Sequence, residues 1–209
     1  MGTSKRNLKK SAAKKPAEVL FASADVDRLE PKASLPAKFQ RMLDELPMKR
    51  VCRDATVAIK MHLGGDLGYT TIPPLFGRIL VEKIKAAGAK HVFITDGAGS
   101  VQGAAARGYT AETLGAPLVE AAGIKDRYVH TRKVRYKTLR ELHLAGNVLD
   151  ADALINFSHF KGHGACAYGA ACKNLAMGCV TPKSRGDLHR LEGGLVWHKN
   201  LCIRCKKCV

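Results

Sequence analysis

No stretch of this chain approaches the roughly 18 consecutive apolar residues of a membrane-spanning helix. Its charged N-terminus has no apolar run behind it, so a secretory signal is not expected. Gly 20 and Pro 8 fall on no short period, which excludes collagen-like repetition. Zinc-finger spacing, basic-zipper heptads and aromatic-rich single-strand-binding motifs are missing as well, so nucleic acid is not the expected partner. Acidic residues are scarce: Asp+Glu 18 against Lys+Arg 35 leaves a net charge of +17. What remains is 209 residues, 46% hydrophobic, enough for one substantial core. We read a soluble, cytoplasmic protein.

The basic excess is concentrated. Residues 1–15 carry six basic residues and no acid, 125–140 seven and one, and 183–207 seven and two. Each stretch can meet an anion or remain a solvated surface. Residues 1–16, rich in Lys, Ala and Ser, bury too little to offset the entropy of ordering, and we expect a disordered basic tail. A short helix is expected over Lys38 to Leu46.

Periodicity sharpens from Thr56. Val57, Ile59, Met61 and Leu63 alternate as in a strand that ends at Gly64 and Gly65. Pro73-Pro74 opens a helix with Leu75, Phe76, Ile79, Leu80 and Ile84 at helical spacing and Gly88 as the stop. His91 to Thr95 is a second strand, which completes a βαβ unit and favours parallel pairing. Further on we expect a short helix over Pro117 to Ala122, strands over Tyr128 to His130 and Leu139 to Leu144, a buried strand over Ala153 to Phe157, and a small-residue helix over Ala165 to Met177. The expected fold is α/β over residues 17–196, a largely parallel sheet with flanking helices.

Seven cysteines is an odd number, and three of them, Cys202, Cys205 and Cys208, crowd the last eight residues. This C-x2-C-x2-C spacing opens the bacterial ferredoxin run, and each thiolate would take one corner of a [4Fe-4S] cluster. The fourth ligand is not in this segment, so residues 197–209 read as the start of a ferredoxin-like module in a truncated chain. Zinc is the alternative, because His198 completes a Cys3His set. Cys166, Cys172 and Cys179 are too far apart for a compact cluster loop, and we expect buried packing thiols.

Lys60-Met-His62 and Lys161-Gly-His163 each fall at or just beyond a strand end, with His159 nearby. Strand carboxyl ends face the ligand crevice in parallel sheets, so both pairs can point into one pocket. Lysine supplies fixed charge and histidine a group titrating near neutrality, which suits a carboxylate, a phosphate or proton transfer. We therefore name His62, His163 and Lys161 as candidate catalytic residues. Lys60, His159, Lys173 and Asn174 are candidate ligand-binding residues. The bland alternative makes Lys60 the polar face of an edge strand. Asp96-Gly-Ala-Gly99-Ser100-Val-Gln-Gly103 departs from the dinucleotide fingerprint and reads as a flexible glycine-rich loop.

Asp152-Ala-Leu-Ile-Asn-Phe-Ser-His159-Phe-Lys161-Gly-His163, Lys173-Asn-Leu-Ala-Met-Gly-Cys179, Lys60-x-His62 and the terminal cysteine run resemble the family catalogued as domain of unknown function 362, over about residues 50–209. The resemblance implies an α/β domain joined to a ferredoxin-like domain, with cluster ligands at Cys202, Cys205 and Cys208. It brings no settled reaction. The leading expectation is an iron-sulfur protein that exchanges electrons with a small anionic ligand and with an acidic partner of the ferredoxin or flavodoxin type. A zinc-stabilised binding module for nucleic acid or an acidic protein, and a non-redox isomerase or lyase, stay open beside it.

Overall fold

The computed structural model describes residues 17–64, 70–97, 99–164, 166–191 and 198–206. The basic tail over 1–16, together with Cys208, lies outside the described residues.

Alternating branched residues make β1 (Thr56–Met61) the centre of a parallel sheet, and every residue from Val57 onward is buried. Two helices precede it, α1 (Leu35–Asp44) and α2 (Met48–Cys52). Helix α1 starts three residues earlier than the sequence suggests, because the Ser34 side chain caps the Ala37 N–H. Pro74 at the first position of α3 (Pro74–Ala86) fits its fixed φ, and the crossover leads to β2 (His91–Asp96), parallel to β1. The core is Val57, Ile59, Met61 and Leu63 against Ile79, Leu80, Val81 and Ile84.

The short helix α4 (Ala111–Leu114) then leads to β3 (Leu118–Glu120). Here the expected helix over Pro117 to Ala122 is a strand. Six residues nucleate a helix poorly, whereas the open edge of β2 must pair its backbone groups: the Pro117 carbonyl accepts from the Ile94 N–H, and Ile94 registers with Leu118. The basic stretch over 125–140 is an antiparallel hairpin of β4 (Val129–Tyr136) and β5 (Leu139–Ala145), with exposed Arg132, Lys133, Arg135, Lys137 and Arg140.

After α5 (Gly146–Leu149) the chain returns to the opposite side of β1 as β6 (Ala153–Phe157), giving the order β3-β2-β1-β6. The sequence reading made β6 a buried strand. Within this sheet it pairs only with β1, and Leu154 is 41% exposed. Phe39 of α1 stacks on Phe157 at 5.5 Å, covering one face.

The expected helix over Ala165 to Met177 begins only at α6 (Ala171–Gly178). The residues before it form a hairpin of β7 (Lys161–His163) and β8 (Ala167–Gly169). Gly162, Gly164 and Gly169 weaken any helix there, and Ala170 is extended. The last helix, α7 (Pro182–Leu191), contacts β5. Expected as buried packing thiols, Cys166 and Cys179 are half-buried and Cys172 is exposed. Among the described residues no helix is long and apolar enough to cross a membrane.

Candidate functional site

Strand β1 lies between β2 and β6, and the chain leaves it toward β2 and returns on the other side. Such a reversal of strand order opens a crevice at the carboxyl ends. A cavity of about 400 Å³ occupies that position. Its lining includes Lys60 and His62 from the end of β1, Asp96 from the end of β2, His159 after β6, and Lys161 and His163 from β7. Helix α6 contributes Lys173, Asn174, Met177 and Gly178, which recur on one helical face. All seven non-cysteine residues singled out by the sequence therefore share one cleft.

Lys60 forms the floor. The bland expectation of an edge-strand lysine fails, because Lys60 is on an internal strand and 1% exposed. Each of its three ammonium protons has a partner: Asp96 Oδ1 at 2.8 Å, Asn174 Oδ1 at 2.6 Å and the Met61 carbonyl at 2.8 Å. Asn174 Nδ2 donates to the Lys60 carbonyl at 3.0 Å, to Asn156 Oδ1 at 2.8 Å and to Ser158 Oγ at 2.9 Å. This network ties α6 to the ends of β1 and β6.

Asp96 is the electrostatic hub. Its Oδ2 accepts the Leu63 N–H at 2.9 Å and faces His62 Nδ1 at 3.5 Å, and its Oδ1 accepts the Gly97 N–H at 2.7 Å. Burial alone would raise the Asp96 carboxyl. The His62 hydrogen bond, the Lys60 ammonium and the Leu63 N–H outweigh it and hold the group well below the ordinary carboxylate range.

Among the described residues the charges of the lining are unbalanced: four lysine or arginine cations, Lys60, Lys161, Lys173 and Arg185, stand against the carboxylate of Asp96. Burial, with repulsion from Lys173, lowers the Lys161 ammonium, and its Nζ donates to the Thr70 carbonyl. Burial also lowers His159, reinforced by Lys161 and His62, so the neutral imidazole is favoured. His159 Nδ1 is shut off from solvent and has no hydrogen-bond partner among the described residues.

Sequence reasoning did not name four of the polar side chains in the lining as site residues: Asp96, Ser100, Arg185 and His189. Asp96 was legible, since it ends β2 as Lys60 nearly ends β1, and the same strand-end rule covers both. Arg185, whose Nε donates to the Met177 carbonyl at 2.9 Å, and His189 reach the cleft only through the packing of α7.

Of the terminal cysteines, Cys202 and Cys205 are described, and neither belongs to the cleft lining. Cys202 is half-buried and Cys205 exposed, with Arg204 and Lys206 both in the left-handed region at φ 56° and 58°. Their soft thiolates suit an iron-sulfur cluster or zinc. Among the described residues no group of three or more His, Cys, Asp or Glu side chains forms a metal centre, and Cys208, the third cysteine of the run, lies outside them.

The family model described as Domain of unknown function (DUF362) matches residues 57–203, the span that holds the whole cleft. No curated protein and no solved structure matches the chain.

Proposed function

The chain belongs to the family of domain of unknown function 362, whose name assigns no reaction, and from the cleft together with the terminal cysteine run we propose an iron-sulfur redox protein acting on a small anionic ligand. The observation that carries the ligand class is the surplus of cations among the described residues of the cleft lining. Lys161 and Lys173 repel one another there, and a carboxylate or phosphate between them relieves that repulsion. The Lys60–Asp96–Asn174 floor is already saturated, so it positions the wall and leaves the anion to Lys161, Lys173 and Arg185. His159, neutral near pH 7, accepts a proton from the ligand or returns one, and His62 and His163 border the same space. The cluster proposal rests on Cys202, Cys205 and Cys208 as three thiolate ligands; when bound, such a cluster supplies single electrons. The exposed basic hairpin and the basic residues beside the thiols suit an acidic protein of the ferredoxin or flavodoxin type.

Two measurements test this. Calorimetric titration with sulfate and with malonate should give saturable binding that Lys161→Met weakens about tenfold, the loss of one charge-assisted contact. No binding of either anion refutes the ligand class. Anaerobically purified protein should contain iron and acid-labile sulfide and bleach with dithionite. A colourless protein with stoichiometric zinc replaces the redox reading with the zinc-stabilised one.

A further inference from the structure

One pairing of reactive groups has no role in that reading. The Cys166 sulfur lies 3.2 Å from His163 Nδ1 and 3.4 Å from the Tyr168 carbonyl oxygen. The β7–β8 hairpin holds the pair, with His163 registered against Ala167, the residue after Cys166. The chain bends there through Ala167 at φ 59°, closed by the Tyr168 N–H on the Cys166 carbonyl at 2.6 Å. A residue with a β-carbon adopts such a three-residue turn only under strain, and strain beside a reactive pair motivates a functional hypothesis.

A second cavity, also about 400 Å³, opens on the same sulfur. His163, Cys166, Tyr168, Cys172, Lys173 and Met177 line it, with alanines filling much of the remaining wall. His163, Lys173 and His189 belong to both cavities, so the apolar chamber that Cys166 lines adjoins the cationic cleft.

We propose that Cys166 is a nucleophile, with His163 as its proton acceptor, toward a small soft electrophile that carries a carboxylate. The carboxylate preference rests on the anion reading of the cleft; the nucleophilicity does not. Thiolate is the reactive form of cysteine, and an imidazole within hydrogen-bond reach takes the proton as sulfur attacks. With an activated alkene, Sγ bonds to the electrophilic carbon and the proton moves from His163 to the neighbouring carbon. The S–H and π bonds break, one C–S and one C–H bond form, and no oxidant, reductant or leaving group is required.

The full chain is labelled with limiting iodoacetamide and, separately, iodoacetate, each thiol being followed by peptide mass spectrometry and each rate divided by that of free cysteine. Cys172 is the internal standard, since it lines the same cavity and is more exposed. Iodoacetamide should alkylate Cys166 about tenfold faster than Cys172, and His163→Gln should remove that excess. Iodoacetate should raise the normalised Cys166 rate further, an increment lost in Lys173→Gln. Should Cys166 react no faster than Cys172, its nucleophilic role is overturned, whatever the variants do. Equal normalised Cys166 rates with the two reagents overturn only the carboxylate preference.

Discussion

Replacing Gly178 by alanine probes the floor of the cleft through one methyl group. A Cβ at 178 would stand 2.1 Å from Lys60 Cε and 2.3 Å from Nζ, where ordinary contact begins at 3.4 Å. The far end of a lysine normally swings aside at little cost. Here it cannot, because Lys60 is buried and its three protons are held at 2.6 to 2.8 Å. Hydrogen bonds of this kind fail beyond about 3.2 Å, so retreat breaks at least one of them. A bond to a charged group contributes about 1.5–3 kcal/mol, and separating a buried pair costs about 3–5 kcal/mol. The gain in helix propensity returns at most about 1 kcal/mol. We expect Gly178→Ala to destabilise by about 2–4 kcal/mol. For a chain of this length that is a fall in Tm of about 4–16 °C by scanning calorimetry. Gly186→Ala is the control: its Cβ meets only the Arg190 guanidinium, at 3.9 and 4.0 Å, and on helix α7 it should be neutral or slightly stabilising. A Gly178→Ala protein that melts with its parent would mean that the three hydrogen bonds do not pin Lys60.

Two further outcomes follow from the charges. Sulfate keeps its charge across the neutral range, and bound in the cleft it favours protonated His159 and Lys161, both lowered in its absence. Binding should therefore take up protons, and affinity should fall as pH rises from about 5 to 7.5, across and above the ordinary histidine value. Calorimetry in buffers of different ionisation heat reads the proton count, and proton release would contradict the assignment. Asp96 is depressed in the fold, so its contribution to stability is full above its unfolded value of about 3.9 and drains away as pH falls below it. Asp96→Asn, which leaves Lys60 buried beside an amide, should lose about 3–5 kcal/mol at pH 7 and distinctly less at pH 3. Urea unfolding that gives the same gap at both pH values rejects the pairing.

How legible the cleft was depended on the range of the interaction. The β1–α3–β2 unit shows in Val57, Ile59 and Met61 and in Ile79, Leu80 and Ile84, because local periodicity and local burial agree. Strand β3 was misread because its three residues are defined by the neighbour they pair with, and no pattern of three residues separates strand from helix. The β7–β8 hairpin was misread for the opposite reason: alanines favour a helix on propensity, but the glycines among them and the pairing of Lys161 with Gly169 decide otherwise. Lys60, His62, His159, Lys161 and His163 were legible because the strand-end rule acts on chain position alone, whereas Lys173 and Asn174, on helix α6, stood out only in a segment that carries the family resemblance. Arg185 and His189 were not, since α7 reaches the cleft through tertiary packing that no spacing records.

The Lys60–Asp96 pair is hard to explain as a device for stability. Removing two charges from water costs more than their attraction commonly returns, and apolar replacements of similar volume are often neutral or better. Strand β1 is buried on both faces, and Val57, Ala58 and Ile59 show that its other positions are filled by aliphatic side chains. What the pair achieves is orientation. Asp96 takes the Leu63 N–H and faces His62, while Lys60, through Asn174, holds α6 against Asn156 and Ser158, so the residues around the cleft are fixed relative to one another before any ligand arrives. Because the pair is closed on itself, its charges cancel locally, and the field felt by an incoming anion is that of Lys161, Lys173 and Arg185. On the proposed anion reading, a neutral floor beneath a cationic rim would let the anion bind at the rim, close to His159, instead of being drawn down onto Lys60.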